Sequence, residues 1–166
     1  MSQLLALKQI PAIPVSKSNF QVYGELITPD PDGKAFDEND ATLELTQGIP
    51  RFYIMRLRQR GRTFHQITRH HLCTQCLGSL QGLDWFMAVC PPSTAKPDLD
   101  RLKAFRIPGD CFIKLEVGTW HAGPYFDHKV VDFYNLELSD TNIVDHDTYN
   151  FLSRQNIKFE IIDFNG

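Results

Sequence analysis

Two short clusters of polar, titratable side chains stand out in a chain that is otherwise rich in apolar, strand-like runs. Residues 68–75 read Thr-Arg-His-His-Leu-Cys-Thr-Gln and include His70, and residues 118–124 read Gly-Thr-Trp-His-Ala-Gly-Pro and include His121. Because imidazole titrates near neutral pH, a histidine can act as a general acid or a general base. Two such clusters in an otherwise apolar framework of strands suggest a pocket in the mouth of a β-barrel.

The second cluster has the composition of a stiff turn between two strands. Gly118 permits a positive φ and Pro124 fixes φ, and the flanking runs Cys111–Val117 and Lys129–Leu138 are strand-like. Such a turn would hold His121 in one orientation. This favours a functional role for that residue over the role of a satisfied core histidine.

In the first cluster, strand alternation separates neighbouring side chains. Thr68 and His70 would lie on one face of a strand, and Arg69 and His71 on the other. We therefore expect His70 to point inward and His71 to lie at the surface. The residues alone leave a catalytic role and a packing role for His70 equally open.

Length, composition and net charge limit the broad class of protein to which the chain can belong. The chain has 166 residues, enough for a real core, and residues 1–166 are interpreted as a single domain. A net charge of −3 does not suggest a nucleic-acid partner, and no apolar run is long enough to span a membrane. The N-terminus does not resemble a signal peptide, which predicts a cytoplasmic location. The four cysteines, including the single Cys73-x-x-Cys76 pair, are then expected to be ordinary thiols.

The spacing of turn residues predicts many short strands and almost no helix. The expected helical segments are a turn capped by Ser16 and a helix over Asp98–Leu102. The expected strands are Leu4–Ile10 (ended by Pro11 and Pro14), Thr42–Leu45, Arg51–Arg58, Thr63–Leu72, Leu83–Cys90, Ala104–Ile107, Cys111–Val117, Lys129–Leu138 and Ile157–Phe164. Leu83–Cys90 is apolar enough to be buried on both faces. This pattern is typical of a β-sandwich or barrel.

The arrangement of the two clusters resembles the two motifs of the cupin superfamily. Thr68-x-His70 followed by Gln75 corresponds to the first motif, and His121 to the second. The resemblance implies an all-β, cupin-like double-stranded β-helix barrel (jelly roll) with one or two short helices. It also makes His70, Gln75 and His121 the candidate metal ligands. Thr68 and Gln75 offer only neutral oxygens, so no cofactor is certain and a divalent metal stays an open alternative.

A closer resemblance is to one cupin family, the ureidoglycolate lyases of allantoin breakdown. The stretches that carry it occur in the family's order and are Asn19–Ile27, Arg69–Gln75, Lys96–Phe105, Trp120–Pro124 and Val131–Phe133. The combination of Arg-His-x-Leu-x-Thr-Gln with Trp-His is fairly specific. The resemblance implies a C–N lyase that cleaves ureidoglycolate to glyoxylate and urea, and a homodimer.

That reaction needs a base for the hydroxyl proton, an acid for the departing nitrogen and a cation for the carboxylate. The resemblance implies His70 and His121 as the acid–base pair, with Glu116 as a further catalytic group if the Gly118 turn brings it to the cavity. The side chains expected to bind substrate are Arg56, Gln75, Lys114 and Trp120, with Arg69 as a further candidate cation.

The chain also departs from the pattern of the family. Thr68 stands where the family has Glu, His71 where it has Pro, Cys73 where it has Gly, Glu116 where it has His, and Ala122 where it has the second His of His-His-Pro. Two alternatives therefore stay open. One is a non-catalytic cupin that binds a small carboxylate, and the other is a divergent metal-dependent cupin enzyme acting on another small acid.

Overall fold

The computed structural model of the protein describes residues 4–92 and 95–164, which form short strands with few helical turns. The strands are β1 (Ala6–Pro14), β2 (Gly24–Ile27), β3 (Pro50–Arg58), β4 (Thr63–Phe64), β5 (Gln66–Arg69), β6 (Gln75–Ser79), β7 (Gly82–Cys90), β8 (Lys103–Gly109), β9 (Phe112–Leu115), β10 (Trp120–Tyr125), β11 (Val130–Leu138), β12 (Asp147–Asn150) and β13 (Ile157–Asp163). The helices are α1 (Lys17–Phe20), α2 (Thr141–Val144) and α3 (Phe151–Gln155), with a 3-10 turn at Leu99–Arg101. No helix in the described ranges is long and apolar enough to cross a membrane.

The strands form two sheets. The larger has the order β12-β5-β10-β7-β8-β1-β13-β4, and the smaller has the order β2-β9-β6-β11-β3. Only His65 separates β4 from β5, yet these two strands belong to opposite ends of the larger sheet. The larger sheet must therefore curl until its ends approach each other. The prediction of an all-β, cupin-like barrel is confirmed.

Strand β7 lies between two hydrophobic cores because alternate side chains of a strand point to opposite faces. Phe86, Ala88 and Cys90 pack within the curl of the larger sheet, and Trp85, Met87 and Val89 pack against the smaller sheet. All six of these side chains are buried, so the prediction that this strand is covered on both faces is confirmed.

Residues 118–124 form less of a turn than their composition predicts. Val117 and Gly118 make the turn, with Gly118 at φ +84°, and the chain then continues as the strand Trp120–Tyr125. The prediction of a turn over the whole segment is wrong because this backbone pairs with β5 on one side and β7 on the other. The tryptophan and the histidine of the strand consequently face opposite sides of the sheet.

Other local predictions differ from the structure for similar reasons. Strand β1 continues through Pro11 to Pro14 because it pairs in parallel first with β13 and then with β8. Residues 42–45 form no strand and are tied instead to Thr74, whose N–H donates to the Glu44 carbonyl at 3.0 Å. The expected helix over Asp98–Leu102 is only a 3-10 turn. The cap at Ser16 and the C-terminal strand are confirmed.

Candidate active site

A cavity of about 170 Å³ lies between the curled sheet and the smaller sheet. Its polar lining consists of three histidines, three amide side chains and one arginine. These are His70, His121, His146, Gln75, Asn135, Asn142 and Arg60. The cavity therefore joins both of the polar clusters that stand out in the sequence.

Direct backbone contacts bring the two clusters together. The N–H of Gly118 donates to the carbonyl oxygen of His70 at 2.7 Å, and His121 lies opposite Thr68 where β10 pairs with β5. The imidazole rings of His70 and His121 consequently lie with their centroids 5.0 Å apart. The expectation that one cavity receives both histidines agrees with this geometry.

The ring of His70 is held by the main chain of a distant segment. Its Nδ1 lies 2.5 Å from the carbonyl oxygen of Asp145. A carbonyl can only accept, so Nδ1 carries the proton of the neutral ring and Nε2 carries the lone pair. Burial lowers the pKa of His70 below 6.5, and the hydrogen bond to Asp145 opposes that shift only in part.

His121 is arranged in the same way. Its Nδ1 lies 3.2 Å from the carbonyl oxygen of Thr119, which again leaves Nε2 as the proton-accepting nitrogen. Burial, reinforced by the neighbouring His70, lowers the pKa of His121 to about 3. Both imidazoles are therefore neutral at pH 7, and the Nε2 atom of each can accept a hydrogen bond.

The carboxylate of Asp145 organises the loop that carries His70. It accepts from the backbone N–H groups of His71 and Leu72 at 2.7 and 2.8 Å. The side chain of His71 lies outside the cavity, at the surface, with Nε2 3.1 Å from Asp147. A single buried residue thus fixes both the backbone of this loop and the ring of His70.

The smaller sheet contributes a buried polar network to the opposite wall of the cavity. Gln75 Nε2 donates to Asn135 Oδ1 at 3.1 Å and to Glu137 Oε2 at 2.8 Å. Tyr53 and Asn142 donate to the other oxygen of Glu137. Gln75 Oε1 is buried and has no hydrogen-bond partner among the described residues. It is therefore a buried acceptor at the cavity wall that lacks a donor.

Four of the polar cavity residues, Arg60, Asn135, Asn142 and His146, were not predicted. Arg60 is held at the rim by the carbonyl oxygen of Pro124, at 3.3 Å from Nε and 3.2 Å from Nη2. Within the described ranges no carboxylate forms an ion pair with it. His146 lies beside His70, with ring centroids 5.8 Å apart. In the sequence, the one indication for His146 was its position next to Asp145. That position becomes informative only when β12 is known to pair with β5.

Several residues that the sequence suggested for the site lie elsewhere. Arg56 is exposed and forms a two-pronged ion pair with Asp132 at 2.8 and 2.9 Å. Lys114 is buried outside the cavity and bridges Glu25 and Glu116, both at 2.7 Å. Glu116 precedes the turn at Gly118 and stays outside the cavity, so none of these three is included in the candidate site.

Trp120 and Arg69 also face away from the cavity. Trp120 is buried in the core within the curled sheet, and the guanidinium of Arg69 lies 4.2 Å from the centre of its ring. Arg69 pairs with Asp147 at 2.7 Å. These contacts stabilise the region where β5, β10 and β12 adjoin. Trp120 and Arg69 therefore help to hold the histidine pair in position and do not contact the substrate.

The donors in the cavity form a weak set for a divalent metal. No group of three or more histidine, cysteine, aspartate or glutamate side chains in the described part of the chain is arranged to hold a metal ion. His70, His121 and Gln75 would supply two imidazoles and a neutral amide oxygen, which bind divalent ions less well than a set containing carboxylates or thiolates. The four cysteines are free and buried.

Comparisons with known proteins agree with this architecture. A model of the ureidoglycolate lyase family matches residues 7–158. The ureidoglycolate lyase of Escherichia coli (strain K12) is 26% identical over 149 residues, which cover 82% of this chain and 92% of that protein. The ureidoglycolate lyase of Shigella boydii serotype 18 is 29% identical over 83 residues, covering 50% of this chain and 51% of that protein. The chain belongs to the ureidoglycolate lyase family.

Proposed function

We propose that this protein cleaves ureidoglycolate, a small carboxylate substrate, to glyoxylate and urea, acting as a C–N lyase in the cytoplasm. The observation that carries the proposal is the pair of neutral imidazoles, with ring centroids 5.0 Å apart, in a cavity that also presents Arg60, which has no acidic partner among the residues that the structure describes. Membership of the family supplies the substrate.

The base is assigned to His70. The carbonyl and charge of Asp145 and the charge of Glu137 favour its protonated form, whereas the groups around His121 mostly disfavour a positive charge there. His70 Nε2 takes the hydroxyl proton of the substrate. The O–H electron pair becomes the second bond of the new aldehyde, and the C–N bond breaks with its electrons on nitrogen.

The imidazolium of His70 then returns this proton to the departing nitrogen, so urea and glyoxylate leave without consuming water. His121, which stays neutral, accepts a hydrogen bond from the substrate and holds it against His70. Because one proton is moved and no atom is lost, the reaction needs no redox partner.

Arg60 is assigned to the substrate carboxylate. Its guanidinium is held at the rim by Pro124, and arginine can donate two parallel hydrogen bonds to a carboxylate. The buried carboxylate of Glu137 on the opposite side would repel an anion. The substrate therefore lies with its carboxylate towards Arg60.

Product analysis tests the reaction. Purified protein is incubated with ureidoglycolate, with and without a chelator, and glyoxylate, urea and ammonia are measured. We expect equal amounts of glyoxylate and urea above the spontaneous background, no ammonia, and the same rate with the chelator present. Release of ammonia in place of urea would contradict a C–N lyase, and complete inhibition by the chelator would favour a metal-dependent enzyme.

A further inference from the structure

In the buried hydrogen-bond network around Gln75, the donor and the acceptor of each bond are fixed. They are fixed by the carboxylate of Glu137. This carboxylate is 1% exposed, and its two oxygens accept hydrogen bonds from Gln75, Tyr53 and Asn142. Every neighbour must therefore turn a donor towards it. The carboxylate sets the orientation of groups that could otherwise be reversed.

Gln75 is the group most affected. One amide proton goes to Glu137 and the second goes to Asn135 Oδ1. Asn135 cannot reverse, because its own Nδ2 donates to the hydroxyl of Tyr53 at 3.0 Å. A flipped Gln75 would place its carbonyl oxygen against the carboxylate of Glu137. Both N–H groups of the Gln75 side-chain amide therefore donate hydrogen bonds within the network, and its acceptor, Oε1, takes no part in them.

That acceptor, Gln75 Oε1, belongs to a residue that lines the cavity, and it is a buried oxygen with no hydrogen-bond partner in the part of the chain that the structure describes. A buried polar atom without a hydrogen bond is unfavourable, so a ligand that brings a donor to it gains binding free energy. Met55 lines the same cavity, and its flexible side chain can move aside to admit such a group.

We propose that Gln75 Oε1 receives the terminal N–H group of the substrate and that Glu137 is the positioning residue that keeps this oxygen turned to the cavity. The inference rests on the proposed function for its substrate and extends it to specificity. The cavity then distinguishes a small acid ending in a carbamoyl NH₂ from one of the same shape that ends in a methyl group.

Two stable acids that lack the reactive hydroxyl provide the test. N-carbamoylglycine carries the ureido group and the carboxylate, and N-acetylglycine replaces the terminal NH₂ by CH₃. Their dissociation constants are measured by calorimetry without any turnover, so the result does not depend on whether the protein catalyses the reaction. We expect wild type to bind N-carbamoylglycine about tenfold more tightly, the ratio typical of one buried hydrogen bond.

Glu137→Gln removes the carboxylate but keeps the shape, and it should reduce that ratio to about twofold or less while the affinity for N-acetylglycine changes little. Gln75→Met, which removes the acceptor without touching Glu137, should do the same. Should Glu137→Gln fail to fold, Gln75→Met still decides the question. The matched control is Glu116→Gln, an exposed glutamate outside the cavity.

A ratio near one in wild type would overturn the role of Gln75. A ratio that persists in Glu137→Gln while it is lost in Gln75→Met would overturn the role of Glu137. Loss of affinity for both acids in equal measure would show a structural effect alone and would also overturn the proposal. A protein that binds with the expected ratios but releases no glyoxylate would contradict the proposed reaction and leave the specificity of the cavity intact.

Discussion

At the scale of single residues, the reactivity of the site depends on imidazoles that remain neutral. Burial lowers the pKa of both His70 and His121, and each ring turns its Nδ1 proton to a carbonyl oxygen. A buried neutral imidazole with a free Nε2 is a proton acceptor over a wide pH range. The two rings are therefore prepared for the reaction before the substrate arrives.

This protonation state predicts the pH dependence of catalysis. Because the pKa of His70 is lowered from 6.5, the base stays active as the pH falls through 6.5 and is lost only at lower pH. The measurement is kcat/KM between about pH 4 and 9, and we expect a plateau whose acidic limb has its midpoint below pH 6.5. An acidic limb with its midpoint at or above pH 6.5 would contradict the account.

Arg60 gives a second prediction at this scale. Arg60→Gln removes the charge assigned to the substrate carboxylate, so KM for ureidoglycolate should rise about tenfold or more while kcat changes less. The control is Arg56→Gln on the neighbouring strand, whose partner is Asp132 and which lies outside the cavity. Equal effects of the two substitutions on KM would rule out the assignment.

At the scale of elements, strand pairing decides which polar residues meet. The spacing of residues 68–75 and 118–124, together with the resemblance to the family, predicted the histidine pair, because each cluster belongs to a strand or to the loop beside it. The choice among the arginines could not be predicted in this way. Arg56 faces outward on β3, whereas Arg60 follows that strand in a loop whose path depends on the carbonyl of Pro124.

The site residues that come from distant parts of the chain could not be predicted from the local sequence. Asn135 and Glu137 enter the site because β11 pairs with β6, and His146 enters because β12 pairs with β5. No periodicity in a single segment encodes such pairings. Glu116 was a candidate on the condition that the turn at Gly118 brought it to the cavity, and the turn at Val117 and Gly118 leaves it outside.

The prediction at the scale of elements concerns the loop after β5, which carries His70. Asp145→Asn replaces one of two accepting oxygens by a donor that faces a backbone N–H, so the loop carrying His70 should loosen. We expect unfolding free energy to fall by about 1–3 kcal/mol and kcat to fall about tenfold. Chemical denaturation and steady-state kinetics check this, and the control is Asp140→Asn at an exposed position without a side-chain cap bond. Unchanged kcat in Asp145→Asn would contradict the role of the loop.

At the scale of the whole molecule, the neutral histidines also link stability to pH. The unfolded chain protonates residue 121 as the pH falls below 6.5, whereas the folded protein resists protonation until about pH 3. Unfolded molecules therefore bind more protons in this window, and stability falls as the pH falls.

The all-β fold was predictable because turn signals recur along the chain, whereas the curl of the larger sheet depends on pairings between its distant ends.

This linkage can be isolated with His121→Gln. Between pH 7 and about pH 4.5, wild type should lose about 2 kcal/mol more unfolding free energy than the variant, because the variant has no imidazole to protonate at this position. Urea unfolding at both pH values gives the difference. His128→Gln, at an exposed position, should lose as much stability as wild type. A variant whose stability falls as steeply as that of wild type would contradict a buried neutral His121.

Association of two chains is the other prediction at this scale. We expect a homodimer, so light scattering coupled to size exclusion should give twice the chain mass of 19.1 kDa. Phe52 is 64% exposed on β3, the last strand of the smaller sheet, and such apolar surface favours association. Phe52→Lys should weaken the dimer, whereas Leu7→Lys at an exposed site on β1 should not. A monomeric wild type at micromolar concentration would contradict this expectation.

The claim on which the other assignments rest is that the histidine pair cleaves the C–N bond of ureidoglycolate. The most direct measurement is the initial rate of glyoxylate release by wild type, His70→Gln and His121→Gln, each corrected for spontaneous decay. We expect rapid release by wild type, a loss of about 100-fold or more in His70→Gln, since a general acid–base group typically contributes that much, and a smaller loss in His121→Gln, whose imidazole only accepts a hydrogen bond from the substrate. No release by wild type above the spontaneous background, with or without added divalent metal, would contradict the account.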